Sequence, residues 1–502
     1  MPYSDADDSA TVPVAREDQP LLRAPEEDCW KPPRGFIWIQ VAIMSNVFLY
    51  GFDGTITAAT YAVISSEFDA ANTASWLTTS YLVTSTAFQP LNIVLLNCMR
   101  ALTGFGGGGL MTMATIVNSD MIPFRKRGMY QALQNGMFGF GAICGASFGG
   151  SIADGIGWRW CFNLQVPISV FALFVGALVI KNPEGGFNLG QGFKDTWARV
   201  DFTGAVLLVI AISLQLLGLS FGGNELPWTS PWVIGSLVAS FVLFGLFLVV
   251  EAKTRAIPII PLRLLNGKLP ALTQFSNICV GMSAYAYLFN LPLFFQVVLL
   301  DSATTAGARL AIPSMATPIG GLIAGVVMSR WGKLLTLVRV GAALMVFGNA
   351  LVTSLGFEDS AWKYYVFIFP ANLGQGIVYP GILFTSLATF DHADHAVSAS
   401  TVYLIRSLGT VYGVAVTSAI VQTTLSVRLP DALGGIPDKW RVIDEIRHSV
   451  SAIRTLPPDV QLKARLVYYD GLRYSFATST AVAAAAVCTA LLAKARGLRS
   501  TK

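Results

Sequence analysis

The sequence predicts an all-α protein that crosses a membrane many times, and three observations support this prediction. Of the 502 residues, 53% are hydrophobic and only 13% are charged. The mean hydropathy is +0.58, and so few charges could not cover soluble domains of this size. Apolar runs of roughly 20 residues, the length that crosses the bilayer core, follow one another along the chain. We therefore expect these runs to be transmembrane helices.

Thirteen such runs can be distinguished, and each is long enough to cross the hydrocarbon core. The segments between them are more polar, and we expect loops and tails there. In chain order the runs cover residues 36–58, 75–97, 100–120, 131–150, 161–181, 202–221, 231–251, 271–299, 310–328, 334–355, 363–388, 398–425 and 474–493.

Basic residues between the runs indicate which helix ends face the cytosol. Lys and Arg accumulate on the cytosolic side of short loops. Clusters of them lie within 125–127, 181–199, 253–268, 330–339 and 494–502. These segments therefore mark one side of the protein as cytosolic.

The segment 426–473 is basic, although it falls on the non-cytosolic side. Long loops follow the charge rule weakly. Within this segment, apolar residues recur at helical spacing before a pair of prolines, so we expect an amphipathic helix that lies on the membrane surface. The apolar residues are Trp440, Ile443, Ile446, Val450 and Ile453, and the prolines are Pro457 and Pro458.

Residues 1–35 are polar and acidic, and we expect a disordered cytosolic tail without a cleavable signal peptide. Its stretch EDQPLL places Glu17 four positions before Leu21, which Leu22 follows. This spacing fits an acidic dileucine signal, which a sorting adaptor would recognise. Motifs this short also match by chance, so a tail without a signal is the alternative.

Composition and motifs disfavour several functional classes. The net charge of +5 is modest, so nucleic acid is not an expected partner. The six cysteines show no CxxC spacing, and we expect neither a disulfide framework nor a zinc site. His392 and His395 have no neighbouring ligand motif, so we expect no metal there. No loop combines a nucleophile, a base and an oxyanion donor, so neither an enzyme nor a cofactor is expected.

The glycine-rich stretch RALTGFGGGG contains the spacing Gly104-x-Gly106-x-x-Gly109, which in a soluble enzyme would suggest a dinucleotide-binding loop. That fingerprint needs a preceding strand, whereas here an apolar span surrounds the glycines. Inside lipid, small residues let helix backbones approach closely. We therefore predict helix-packing faces around a cavity. Their residues are Gly104, Gly108, Gly141, Gly145, Gly149 and Gly150.

Four segments resemble signatures of the major facilitator superfamily. More narrowly, they resemble those of its fungal fourteen-span drug:proton antiporters, a branch that includes the vacuolar basic amino acid transporters. The resemblance implies two six-helix bundles with two extra central spans and alternating access around a central site. The segments are FDGTITAATYAVISSEF (52–68), RALTGFGGGG (100–109), GAICGASFGG (141–150) and GWRWCFNLQVP (157–167).

The resemblance divides the chain into five parts. Each boundary falls in a loop between apolar runs. The parts are the tail 1–35, an incomplete N-terminal bundle 36–181, two linker spans with cytosolic loops 182–268, a C-terminal bundle 269–493 that includes a luminal loop 426–473, and a cytosolic C-terminus 494–502.

The chain departs from the family pattern at two places. Ala146 stands where the antiporter motif usually has Pro, which weakens the bend but keeps the glycine face. The family's cytosolic loop G-x-x-x-D-R-x-G-R and its third span are absent, because QPLNIVLLN runs directly into CMRALTG. The second half keeps the counterpart GVVMSRWGK, in which Arg330, Gly332 and Lys333 are candidate gating residues and Ser329 replaces an expected Asp.

The charge rule reveals the same gap independently. If the tail is cytosolic, an even number of spans must precede the cytosolic cluster 125–127, whereas three are found. Omitting one span would reverse the topology of everything after it. We favour a skipped exon or a faulty gene model, and the alternative is a genuine short isoform without transport activity.

Three charged residues within the runs are candidates for coupling transport to protons. A charge at the bilayer centre costs about 2.5 to 3.5 kcal/mol on insertion scales, so such residues are functional candidates by default. Asp53 matches the acidic position of the family's first-span motif and could exchange a proton. Arg100 matches the Arg of the fourth-span motif and could stabilise ionised Asp53, and Arg406 is the intramembrane cation of the second half. Side chains that lie at the membrane interface are the alternative for all three.

Seven polar residues within the runs could line the cavity. About half of such residues merely bridge helices, because a polar group in lipid needs a partner. The seven are Gln134, Asn135, Gln274, Asn277, Gln296, Asn372 and Gln375.

These features predict a proton-coupled secondary transporter of small solutes, in which two bundles rock around a midplane site. Basic amino acids loaded into the vacuole are the first expectation for the substrate. A multidrug:proton antiporter that exports amphipathic compounds is one alternative, and a non-transporting isoform or sensor on the same fold is another. The resemblance and the tail motif favour the vacuolar membrane over the plasma membrane.

The gap itself can be tested. If a span has been lost from the gene model, transcripts should contain roughly 40 additional residues between Pro90 and Arg100, enough for a loop and one span. Long-read sequencing of the transcript would measure this. Transcripts that uniformly join the two segments as written would show instead that the short form is real.

Overall fold

The computed structural model describes residues 35–67, 124–179, 201–223, 225–254, 262–390, 395–434, 439–448 and 452–493, together with a few isolated positions between them. Within those residues the regular secondary structure is helical. The helices before residue 254 are α1 (Phe36–Glu67), α2 (Phe124–Gly155), α3 (Arg159–Asn163), α4 (Gln165–Val179), α5 (Phe202–Phe221) and α6 (Pro231–Lys253).

The remaining helices form the second half of the molecule. A five-residue π-helix, Phe294–Val298, extends the first long helix of this half. The α-helices are α7 (Leu262–Leu265), α8 (Lys268–Leu293), α9 (Ala303–Ser314), α10 (Ala316–Trp331), α11 (Leu334–Thr353), α12 (Lys363–Val366), α13 (Phe369–Thr389), α14 (His395–Ala432), α15 (Lys439–His448), α16 (Ala452–Thr455) and α17 (Pro458–Leu492).

Eleven stretches among the described residues are long and apolar enough to cross a membrane, and each corresponds to one predicted run. The runs predicted at 75–97 and 100–120 lie, apart from a few positions, outside the described residues. Two spans extend beyond their predicted ends, since α14 continues to Ala432 and α17 begins already at Pro458. Both extensions are too polar to be recognised by hydropathy, and one face of each is buried in an apolar cluster of the protein.

The segment between α14 and α17 packs against these extensions. Ile443 and Ile446 of α15, together with Ile453 of α16, are buried in one apolar cluster with Leu429 and Tyr468. The predicted amphipathic helix therefore forms, and its isoleucines pack on the protein rather than facing outward as expected, whereas Trp440 is 66% exposed. The isoleucine face is covered by the protein, because the two long helices project far enough to bury it.

The helices α1 and α2 approach each other closely at glycines. A Cβ atom at Gly141 would lie 2.1 Å from the carbonyl oxygen of Phe48, and one at Gly145 would lie 2.3 Å from that of Phe52. Gly51 of α1 makes a similar approach to α2. The hydroxyl of Thr55 donates to the carbonyl oxygen of Ala142 at 2.8 Å, which needs this short separation.

The same α2 helix joins the two halves of the molecule. A Cβ atom at Gly150 would lie 2.3 Å from the carbonyl oxygen of Ala303 on α9, and Gly307 approaches Ala146 equally closely. Asp154, near the end of α2, accepts hydrogen bonds from the backbone N–H of Thr304 at 3.1 Å and from its hydroxyl at 2.6 Å. This carboxylate binds the first turn of α9 across the interface between the halves.

The linker helices α5 and α6 pack on each other and against the outside of α14. The Tyr412 hydroxyl of α14 donates to the Gln215 side chain of α5 at 2.8 Å. Large apolar side chains such as Trp232 and Phe241 of α6 are exposed. We therefore place these two helices at the lipid-facing surface, away from the interface between the halves.

The glycine contact between α1 and α2 generates a prediction. Gly141→Ala should lower the free energy of unfolding by about 1 to 3 kcal/mol, because the added methyl group meets backbone atoms that cannot move cheaply. The unfolding temperature of the detergent-purified protein, followed by intrinsic fluorescence, measures the change.

The matched control is Gly136→Ala in the same helix. A Cβ atom there meets nothing within 4 Å, so helix propensity alone should leave this variant as stable as the wild type or slightly more so. Equal unfolding temperatures for the two variants would show that the close approach at Gly141 does not stabilise the protein.

Candidate functional site

A cavity lies between the two halves, and helices from both of them form its wall. It encloses about 680 Å³ when its open mouth is included, which is within the usual range for small-molecule sites. The first half contributes Tyr50 of α1 and Gln131, Asn135 and Phe138 of α2. The second half contributes Tyr285, Gln375, Tyr379, Pro380, Leu383, Tyr403, Arg406, Ser407 and Thr410.

Arg406 of α14 is the one charged residue among the described residues that line this cavity. Its Nε donates to Oδ1 of Asn277 at 3.4 Å. Its guanidinium carbon lies 4.2 Å from the ring centre of Tyr379 and 5.0 Å from that of Tyr403. Its Nη2 atom is buried and has no hydrogen-bond partner among the described residues. The side chain is therefore held on several sides while its hydrogen-bonding capacity is not fully used.

Asn277 of α8 is itself fixed by other hydrogen bonds. Its Nδ2 donates to the carbonyl oxygen of Val402 at 2.7 Å and to the side-chain oxygen of Gln274 at 3.2 Å. These bonds leave Oδ1 free to accept from Arg406. The orientation of the guanidinium therefore depends on contacts between α8 and α14.

Glycines allow α8 and α14 to come close enough for these contacts. A Cβ atom at Gly409 would lie 2.2 Å from the carbonyl oxygen of Ile278, and one at Gly413 would lie 2.2 Å from that of Met282. Gly281 approaches the backbone of Arg406 in the same way, at 2.5 Å. Small residues thus position Arg406, as they position α1 against α2.

Asp53 does not line the cavity. It is 2% exposed on α1, and its Oδ1 accepts a hydrogen bond from Nε2 of Gln165 at 3.0 Å. Gln165 lies at the start of α4, so this carboxyl faces the neighbouring helix of the first half. Tyr50, one turn earlier on α1, does line the cavity. Asp53 therefore lies behind the wall rather than in it.

The seven polar candidates separate into two groups. Asn135 and Gln375 line the cavity. The other five, Gln134, Gln274, Asn277, Gln296 and Asn372, are not among its lining residues. Most of these bridge helices, as when the Tyr287 hydroxyl of α8 donates to the Asn372 side chain of α13 at 3.0 Å.

The second-half loop candidates lie at the end of α10. Gly332 adopts φ +64° and caps the helix, with its N–H donating to the carbonyl oxygens of Val327 and Met328. A left-handed conformation of this kind favours glycine. Arg330 and Lys333 are exposed on either side of it. Gly149, a helix-packing candidate, is buried, and its carbonyl oxygen accepts from the Cys161 thiol at 3.6 Å.

Several predicted residues lie outside the part of the chain that the structure describes. Their roles stay predictions from sequence. They are the fourth-span cation Arg100, the glycines Gly104 and Gly108, and the sorting residues Glu17, Leu21 and Leu22.

Comparison with known proteins identifies the family of this chain. The profile of the Major Facilitator Superfamily matches residues 92–414, which is more than half of the chain. The chain belongs to the major facilitator superfamily. The predicted family and the predicted all-helical membrane fold are thereby confirmed, and the chain is a multi-pass membrane transporter. The match begins at residue 92, which is next to the predicted gap.

Two relatives are similar along most of their length. Vacuolar basic amino acid transporter 2 of Saccharomyces cerevisiae is 43% identical over 406 residues, which cover 73% of this chain and 86% of that protein. An uncharacterized transporter of Schizosaccharomyces pombe is 40% identical over 491 residues, which cover 90% of this chain and 85% of that protein.

A solved structure shares the fold. It is a bacterial homolog of the human lysosomal transporter Spinster, in an inward-facing and unoccupied conformation. Its TM-score is 0.55 at 13% identity, with 92% of this chain and 97% of that chain covered. At this identity the likeness establishes the architecture of the two halves and nothing finer.

The cavity residues that sequence analysis missed in this major facilitator chain are mainly tyrosines. Tyr50, Tyr285, Tyr379 and Tyr403 lie around Arg406. Tyr also populates membrane interfaces and ordinary helix contacts, so its presence in a span carried no signal. The spacing Gly409-x-x-x-Gly413 beside the cation was the one readable indication that α14 packs closely here.

Proposed function

We propose that this transporter uses the proton gradient to load basic amino acids into the vacuole. The observation that carries the proposal is the cavity between the halves, whose polar and aromatic wall suits one small solute. Tyrosine rings attract cationic groups, as the contacts of Arg406 with two such rings illustrate. The 43% identity with a protein named as a vacuolar basic amino acid transporter supports this substrate class.

Asp53 is the proposed proton carrier. Among the described residues, three carboxyl groups are buried, and two of these bind backbone N–H groups at helix ends. Those two are Asp201 and Glu251. Asp53 instead lies within a span and accepts from an amide side chain of another helix. Taking up a proton would change this helix contact. If Asp53 binds the proton more tightly in one of the inward-facing and outward-facing states, protonation would shift the equilibrium toward that state.

A second candidate function is export of amphipathic compounds. Phe138, Pro380 and Leu383 add apolar surface to the tyrosines of the wall. Such a wall also suits a flat hydrophobic cation, because apolar contacts with aromatic and aliphatic side chains require no particular hydrogen-bond geometry from the ligand. The two functions differ in whether the substrate needs a carboxylate.

The proposed location is the vacuolar membrane. The name of the relative in Saccharomyces cerevisiae supports it, and so does the dileucine spacing of the tail, which a sorting adaptor would bind. The plasma membrane is the alternative. Imaging of a fluorescent fusion in the native host would distinguish them.

Uptake by reconstituted protein tests the function. In vesicles with an acidic interior, the full chain should accumulate radiolabelled lysine, arginine or histidine, because outward proton flow drives inward movement of the solute. A protonophore should abolish the accumulation. Gradient-dependent movement of a hydrophobic drug cation, without uptake of any of the three amino acids, would favour the second function.

Asp53→Asn tests the proton carrier. The amide keeps the shape of the side chain but cannot release a proton, so gradient-driven accumulation should be lost while exchange of labelled for unlabelled substrate persists. Uptake after a pH jump measures the gradient-driven accumulation, and counterflow measures the exchange.

Asp201→Asn is the matched control, since Asn can also cap α5 and residue 201 is not among the residues that line the cavity. Normal accumulation by Asp53→Asn would assign the proton pathway to other residues.

A further inference from the structure

Arg406 brings a positive charge into the cavity without a negative partner among the described residues. The ion pairs in that part of the chain involve Arg309, Lys363, Arg428 and Arg441, and none involves Arg406. Its contacts are one amide oxygen and two tyrosine rings. A half-buried cation within a membrane span is costly unless an anion and hydrogen-bond acceptors compensate it.

We propose that Arg406 binds the α-carboxylate of the transported amino acid through its guanidinium, and that the surrounding tyrosines receive the cationic side chain. The inference rests on the proposed function and adds the recognition of its substrate. Guanidinium is suited to this task, because its planar fork matches the two oxygens of a carboxylate.

The fixed orientation of Arg406 supports this role. Its Nε is occupied by Asn277, and the ring of Tyr379 covers its plane at 4.2 Å. Among the described residues, the Nε bond to Asn277 is the hydrogen bond that this guanidinium makes, so donor capacity remains for a ligand. A guanidinium held in this way loses little side-chain freedom when an anion binds.

The opposite wall supports the second part of the proposal. Tyr50 of the first half lines the same cavity as Arg406 of the second half. Tyr285 and Tyr379 also line it. No acidic side chain is among the described lining residues, so aromatic faces are what this part of the wall offers to an ammonium or guanidinium group.

This arrangement makes the substrate a link between the halves. A zwitterion with a cationic side chain would contact Arg406 in one half and Tyr50 in the other. A diamine has no carboxylate for Arg406 to bind, and its ammonium groups would be repelled by the positive charge of Arg406. The inference therefore predicts selection for the carboxylate rather than for the side chain alone.

The test compares amino acids with their decarboxylated analogues in the full chain. Wild-type protein should be stabilised against thermal unfolding by lysine and arginine, and much less by cadaverine and agmatine. Arg406→Gln should reduce the ratio of lysine to cadaverine affinity by roughly 30-fold or more, the usual effect of removing one partner of a buried charged pair. Arg406→Lys keeps the charge without the fork and should give a smaller reduction.

Controls separate recognition from folding and from the proposed function. Arg441→Gln removes an exposed cation of α15 and should leave the affinity ratio unchanged. Equal losses of lysine and cadaverine binding in the Arg406 variants, or equal binding of both by the wild type, would overturn the inference. Normal lysine uptake with an unchanged KM in Arg406→Gln would overturn it while leaving the proposed function intact. Selective lysine binding without any transport would support it while the proposed function fails.

Discussion

The close approach of helix backbones at glycines is the constraint on which the rest of this structure depends. In lipid, apolar side chains gain little by leaving one neighbour for another, so packing and interhelical hydrogen bonds hold helices together. Gly141 and Gly145 bring α2 against α1, and Gly409 and Gly413 bring α14 against α8. The first contact places Asp53 and the second places Arg406, so both candidate charges depend on positions that have no side chain.

Polar residues in the spans show two different uses of hydrogen bonding. Ser283, Asn349 and Ser479 form a buried network that joins α8, α11 and α17, and Ser479 donates to the Asn349 side chain at 2.6 Å. This network lies outside the cavity wall and satisfies its members internally. Arg406 differs, because it lines the cavity and its Nη2 has no hydrogen-bond partner among the described residues. A place on the cavity wall together with unsatisfied hydrogen-bonding capacity makes it a candidate for binding.

The sequence was sufficient for the helices and for the faces on which glycines pack, since both follow from runs of residue types. It could not show where a side chain points around a helix that is apolar on all sides. Asp53 and Arg406 were both candidates for proton coupling on that evidence, yet of the two only Arg406 lines the cavity. The start of α17 at Pro458 was missed for a related reason, because its first turns are polar and only one face of them packs on α15 and α16, which no local pattern reveals.

The separation of the two charges constrains how coupling could work. Asp53 faces α4 within the first half, whereas Arg406 is held by α8 and α13 in the second. A proton on Asp53 and an anion on Arg406 would therefore not compete for one site. Tyr50 lies one turn from Asp53 on α1 and lines the cavity, so a change in the packing of α1 would alter the cavity wall. In the proposed function, coupling between Asp53 and Arg406 would therefore run through the position of a helix rather than through contact between these two side chains.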